Sequence, residues 1–231
     1  VAQSNPNLTC ISVDDALWSA TNWTNIDNTS SFAITCSNEP GHYTHVPDDN
    51  FEQALINLGY DNFLDDYVVT DSINTVVHLN VSNQNIVDLT GIEDFIALNY
   101  LDCYNNQLEI LDVSQNTALT DLICSHNQLT DLHLIHNTFL TTLDCKYNNL
   151  TSLDISANTF LTTLDCKYNN LTSLDVSGAP ALTQLYCAGN SLASLDVITH
   201  TSLILLYCGI NNLTSLDVSQ NTALTDLRCL D

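Results

Sequence analysis

Hydrophobic and polar positions alternate along most of this chain in a rhythm that repeats without a slip. From Leu161 the residues read LTTLDCKYNN and then LTSLDVSGAPA. The halves match each other as L-x-x-L-x-(C/V)-x-x-N-x-L, with Ala179 at the Asn position of the second and one extra residue before Leu182, so a 21-residue unit is nested as 10 plus 11. The L-x-L and L-x-C alternation is the two-residue period of a half-buried strand, and the polar N-x-L segments between are turns. The pattern predicts two short strands per 21-residue coil, one on each side of a flattened core. Leu143, Cys145, Leu150, Leu153, Ile155 and Leu161 point inward from one coil, and Leu164, Cys166, Leu171, Leu174, Val176 and Leu182 repeat them in the next.

Cys103, Cys124, Cys145, Cys166, Cys187, Cys208 and Cys229 mark the same point in successive units. A fixed period of this length signals a solenoid, because one coil cannot bury its apolar side alone and must stack on its neighbours. One thiol per coil, where the pattern otherwise holds leucine, reads as a column of small buried hydrophobes. Metal ligation needs paired Cys or Cys/His spacings that the column lacks. Asn106, Asn127, Asn148, Asn169, Asn190 and Asn211 form another column where the chain turns inward, and their amides can satisfy backbone groups of the adjacent coil. Asn116, Asn137, Asn158 and Asn221 form its counterpart in the second half-repeat, broken at Ala179 and His200.

This nested pattern, from about Val76 onward, resembles leucine-rich repeats, specifically the 21-residue subclass of secreted and cell-surface proteins of flavobacterial (Bacteroidota) type. The resemblance implies a leucine-rich repeat solenoid of mainly short parallel β-strands and turns with a small N-terminal helical cap. HVPDDNFEQALINLGYD, His45 to Asp61, is similar to the helix that opens such arrays, so residues 45–75 are expected to cap about seven coils spanning 76–231. In that helix Asp49 and Glu52 have capping-box spacing, Phe51, Leu55 and Leu58 make an apolar stripe, and Gly59 is a stop. Within residues 1–44, the stretch from Asn5 to Cys36 resembles the closing cap of a preceding array, and Cys10 and Cys36 are candidates for an extracellular type of disulfide. The chain stops at RCLD, inside a strand-bearing half-repeat, as expected of a piece of a longer array or of an end covered by another chain.

Charge narrows the function classes. There are 27 acidic residues against three basic ones, Lys146, Lys167 and Arg228, for a formal charge of -24. Such a chain repels phosphate backbones and anionic lipid, which argues against nucleic-acid partners. Apolar residues make up 45% of the chain but alternate, and no run approaches the roughly 20 needed to span a membrane. VAQSNP has neither the charged start nor the apolar run of a secretory signal, so a mature or internal start is expected. Asn7, Asn22, Asn28, Asn80, Asn149, Asn170 and Asn212 begin N-x-S/T triplets, weak support for export. The expected location is secreted or cell-surface.

Candidate chemistry lies on the residues between inward positions. Asp112, His133, Asp154, Asp175, Asp196 and Asp217 line one face. Carboxylates one rung apart repel by around 1 kcal/mol in water, so the column gathers cations, shows some raised pKa values or is simply screened. Asp154, Asp175, Asp196 and Asp217 are the metal candidates. Calcium is the ion that suits them, although a flat strand supplies few of the six or more oxygens it takes, and no cofactor is expected. The other face is more varied: Asp102, Ile123, Asp144, Asp165, Tyr186, Tyr207 and Arg228, with Tyr104, Tyr147 and Tyr168 beside it. Exposed tyrosine with aspartate suits protein or carbohydrate contacts, and Tyr147, Asp165, Tyr168, Tyr186 and Tyr207 are the binding candidates. His126, His133 and His136 read as surface histidines. No hydrolase, zincin or phosphate-loop motif is present, so no enzyme activity is expected.

Three functions fit these residues. The first is an extracellular module that recognises a protein or polysaccharide. The second is a rigid spacer or building block of a surface layer or filament, whose partner is further repeats of its own kind. The third is an ice- or mineral-binding face built on Thr141, Thr142, Thr162 and Thr163.

Overall fold

The computed structural model describes residues 43–230, together with the strand backbones of 10–12 and 31–33. Two units separate, Val1–His42 and Tyr43–Asp231. In the first, β1 (Cys10–Ser12) pairs in parallel with β2 (Ser31–Ala33). The candidate disulfide lies outside the described residues, apart from the Cys10 backbone.

The second unit opens with a hairpin-like pair, β3 (Tyr43–His45) antiparallel to β4 (Tyr67–Val69), with helix α1 (Asp49–Leu58) between them. The cap of α1 is Asp48, one residue before the expected Asp49. Asp48 Oδ1 accepts from the Asn50 and Phe51 amides at 2.9 Å, while Oδ2 accepts from Val87 and Asp88 at 2.8 and 3.0 Å. A cap that also ties the helix to the first coil outcompetes its neighbour, because one buried carboxylate satisfies four amides. Glu52 does not complete a capping box; its Oε1 accepts from Asp65 and Tyr67 instead. The buried stripe is Phe51, Ala54 and Leu55, whereas Leu58 is 46% exposed, and Phe51 packs against Phe95 with centroids 6.4 Å apart. Gly59 stops the helix in the left-handed region, φ 81°, and its N–H closes the last turn on Ile56 and Leu55. A short helix α2 (Thr70–Ile73) follows.

From there eight strands stack in parallel in one sheet: β5 (His78–Asn80), β6 (Tyr100–Asp102), β7 (Asp121–Ile123), β8 (Thr142–Asp144), β9 (Thr163–Asp165), β10 (Gln184–Tyr186), β11 (Leu205–Tyr207) and β12 (Asp226–Arg228). Each pairs in register, so Leu79, Leu101, Leu122, Leu143, Leu164, Leu185 and Leu206 form one fully buried column. Cys103 to Cys208 form the next, also buried, while Cys229 in the last coil is exposed. All seven ladder thiols are free, and burial pushes the enclosed ones up, Cys208 to about 11. Each buried leucine contributes roughly 1.5–3 kcal/mol, so the core is a line of equal increments rather than one centre.

One expectation fails. Each coil holds one strand, not two. The second half-repeat carries the inward leucines as expected, but its only pairing among the described residues is a single bridge between His133 and Asp154. Grooves open between successive coils on that side, lined for example by Val87, Glu109, Ile110 and Gln128, and by Asp131, His133, Asp154 and Asp175. Where coils stand apart, amide and carbonyl cannot meet at the roughly 2.9 Å that a ladder requires. No helix among the described residues is long and apolar enough to cross a membrane.

Candidate functional site

The middle residue of each repeat strand is a buried leucine up to β11, and the residues on either side are half-buried, so every coil offers two strand side chains to solvent. In-register pairing turns the third residues into a row: Asp102, Ile123, Asp144, Asp165, Tyr186, Tyr207 and Arg228.

All three basic residues of the chain converge on this row. Lys146 Nζ binds Asp144 and lies 3.7 Å from Asp165, and Lys167 Nζ lies 3.3 Å from Asp165. Lys167 also stands 4.9 Å over the Tyr186 ring, which meets Tyr207 edge-on at 4.9 Å, and Arg228 sits 4.3 Å over Tyr207. A contact chain thus runs from Asp144 through Lys146, Asp165, Lys167, Tyr186 and Tyr207 to Arg228. The side chains of Asp144, Asp165, Lys146 and Lys167 are only 14–26% exposed, so water screens these pairs less than ordinary surface pairs. Burial first, then Asp144, holds the Asp165 carboxyl above the usual carboxylate range, against the pull of Lys167 and Lys146. Burial opposes the charge on Lys146, but Asp144 and Asp165 outweigh it and raise its pKa.

Beside this row runs an aromatic one. Tyr104 meets His126 at 5.1 Å, His126 meets Tyr147 at 4.3 Å, and Tyr147 stacks on Tyr168 at 4.6 Å and 12°. Tyr104 does not share the register of the other two; it stands one residue earlier in its coil, and His126 fills the step. His126, Tyr147 and Tyr168 hold left-handed backbone, φ 53–55°, a region L-residues enter at a cost of about 1 kcal/mol or more each. The row stops at Gly189, where an added Cβ would lie 2.5 Å from the Tyr168 ring. Glycine there lets the last ring lie down on the backbone.

The five binding candidates therefore fall into two kinds. Tyr147 and Tyr168 are stacked rings, 42% and 40% exposed. Tyr186 and Tyr207 are half-buried with their hydroxyls already donated, to Gln184 at 3.0 Å and Asp226 at 2.6 Å, so they offer ring surface rather than hydrogen bonds. Asp165 is a linker between two lysines. Lys146, Lys167, His126 and Gly189 were missed by the sequence reading; a signal was available in the 21-residue spacing of Lys146 and Lys167.

The metal candidates behave differently. Asp154, Asp175, Asp196 and Asp217 each turn Oδ1 back onto the amide two residues on, at 2.9–3.0 Å, closing an Asx turn. Bonds from Ser156, Ser177 and Ser219 lower the pKa of Asp154, Asp175 and Asp217, contrary to the rise considered for a repelling column. None of the four joins a cluster of three potential ligands among the described residues. The hydroxyls of Thr141 and Thr162 are also committed, to carbonyls of the preceding coil at 3.1 and 3.0 Å, which weakens an ice-binding reading.

Solved structures share this fold. The functional domain of internalin J from Listeria monocytogenes, a domain that includes a cysteine ladder, superposes with a TM-score of 0.77 at 39% identity over 84% of this chain and 44% of that one. The chain folds as a leucine-rich repeat solenoid. A leucine-rich repeat protein of Leptospira interrogans is also similar, with a TM-score of 0.65, 26% identity and 69% of this chain against 44% of that chain. In sequence, internalin J of Listeria monocytogenes serotype 4b is 38% identical over 120 residues, 49% of this chain and 13% of that protein. The chain thus spans less than half the length of these relatives, and 13% of the full internalin J sequence. No family model matches it.

Proposed function

We propose that this solenoid is a non-catalytic recognition module of the cell surface or secreted space, and that its strand face from Tyr147 to Tyr207 contacts a protein or polysaccharide. The observation that carries this reading is the convergence on one face of the chain's only basic residues with stacked and edge-on tyrosines, on a molecule otherwise uniformly acidic. Ring faces give contact area at low entropic cost, and the linked lysines supply cations where the rest of the surface has none. The likeness to internalin J supports an interaction role and a surface setting. A spacer or filament element is the competing reading; it needs no ligand.

The test is binding of the whole chain to immobilised neutral and acidic polysaccharides and to purified surface proteins. Saturable binding that drops at least tenfold, about 1.4 kcal/mol, in Tyr186→Ala with Tyr207→Ala, and survives Asp217→Asn, supports the proposal. Binding indifferent to the tyrosines, or absent across the panel, contradicts it.

A further inference from the structure

Away from the repeats, α1 and the residue before β4 bring three carboxylates together. Asp49 and Glu52 on α1 and Asp66 before β4 each bring an oxygen to within 4.8 Å of the others. Asp49 and Asp66 are exposed, but Glu52 is fully buried. Glu52 Oε1 is satisfied by the amides of Asp65 and Tyr67 at 2.8 and 3.1 Å. Its Oε2 is buried and has no hydrogen-bond partner among the described residues.

A carboxylate oxygen stripped of water and left unpaired is costly enough to demand a compensating group. Neither lysine nor arginine is available, since the three in this chain sit at positions 146, 167 and 228 within the repeats. The loop between α1 and β4 makes matters worse. Asp61 Oδ2, in that loop, is a second buried oxygen lacking a partner among the described residues.

We infer that Asp49, Glu52 and Asp66 hold a divalent cation of the calcium class. Oxygens around calcium stand about 2.4 Å from it, so two on opposite sides are about 4.8 Å apart, the span within which all three oxygens here fall. Magnesium, at about 2.1 Å and near-ideal octahedral geometry, fits a looser set of three carboxylates less well. The exposed sides of Asp49 and Asp66 leave room for the waters that complete six to eight ligands. Bound there, the ion cancels the orphaned charge of Glu52 and fastens the loop to α1. Because the Asp66 carbonyl accepts the Val46 amide at 2.8 Å, the ion also braces the β3–β4 pair at the start of the solenoid.

Calorimetric titration of the whole, EDTA-stripped chain with calcium chloride, paired with thermal unfolding, tests this. The inference expects saturable heat at one ion per chain. With calcium at about a hundred times the measured Kd, the unfolding constant should fall about a hundredfold. Asp66→Asn, at an exposed position that keeps the fold, should abolish both effects. Glu52→Gln should abolish them too, yet unfold without calcium at or above the parent temperature, since the buried charge is gone. The inference is overturned if calcium gives neither heat nor shift, if both variants respond like the parent, if magnesium at equal concentration does as well, or if the response is lost instead with Asp154→Asn and Asp175→Asn.

Discussion

The two halves of each coil carry nearly the same pattern and settle into different structures. In the strand half, Asn169 uses its whole amide: Nδ2 donates to the Cys145 and Cys166 carbonyls at 3.0 and 3.1 Å, and Oδ1 accepts from Leu150 at 3.0 Å. In the other half, Asn158 donates to Leu134 and Asn137 at 3.3 and 2.9 Å, but its Oδ1 is buried with no partner among the described residues. Asn116, Asn137 and Asn221 repeat that deficit. Identical side chains are fully satisfied where neighbouring coils are laced by a ladder and half-satisfied where they are not. The lesson is that the strand half carries the rigidity, and the binding candidates stand on that half.

The sharpest way to break this comparison is to delete one asparagine from each half. Asn169→Ala strands the Leu150 amide, at about 1–3 kcal/mol, and removes one of the two asparagine donors from each of the Cys145 and Cys166 carbonyls, which keep Asn148 and Asn190, at about 1 kcal/mol each, so it should cost several kcal/mol. Asn158→Ala strands nothing, because the Leu134 and Asn137 carbonyls still accept from the Asn137 and Leu140 amides at 3.0 and 3.2 Å, and it also removes an orphaned oxygen, so it should cost only about 1 kcal/mol. Urea unfolding of both variants measures the difference, and equal losses would erase the distinction between the halves.

A smaller effect is expected at Gly189, where φ is 68° and a methyl group would press on Tyr168. Gly189→Ala should cost about 1–3 kcal/mol and release the Tyr168 ring, read as a change in tyrosine fluorescence. An unchanged spectrum would show that the aromatic row does not rest on the glycine.

The smallest effect concerns protons. Asp154, Asp175 and Asp217 have lowered folded pKa values, so their contribution is present above the unfolded carboxylate value and lost as pH falls through the folded one. Asp165 is raised, so its cost is felt above its folded pKa and relieved as pH falls toward the ordinary carboxylate value. Carboxyl NMR titration should place Asp165 above, and the other three below, the usual range; one common value would remove the electrostatic contrast between the faces.

Much of this was legible in the residues. The inward leucines and cysteines, the repeat length and both asparagine columns follow from a period that only stacking can satisfy. Strand number did not follow, because a two-residue alternation reports which side chains are buried and is silent on how close the next coil lies. Asp48 was missed in favour of Asp49 because two adjacent acids differ only in what they reach, here the Val87 and Asp88 amides some forty positions away. His200, taken as a break in its column, donates Nε2–H to the Val176 carbonyl at 3.0 Å and so does the work of asparagine; an imidazole substituting for an amide is visible only once the carbonyl is in place. The lysine–tyrosine chain was hidden for a similar reason, since Lys146 reaches back to its own strand and across to the next.

Residue-resolved amide hydrogen exchange tests the central claim most directly. Amides of β8, β9 and β10, and those of Leu129, Leu150 and Leu171 held by asparagine Oδ1, should exchange only with global unfolding, while those of Ser152, Leu153, Ser173 and Leu174 on the grooved side should exchange orders of magnitude faster. Equal protection of the two sets would mean that both halves are laced alike and that the strand face has no special claim to rigidity.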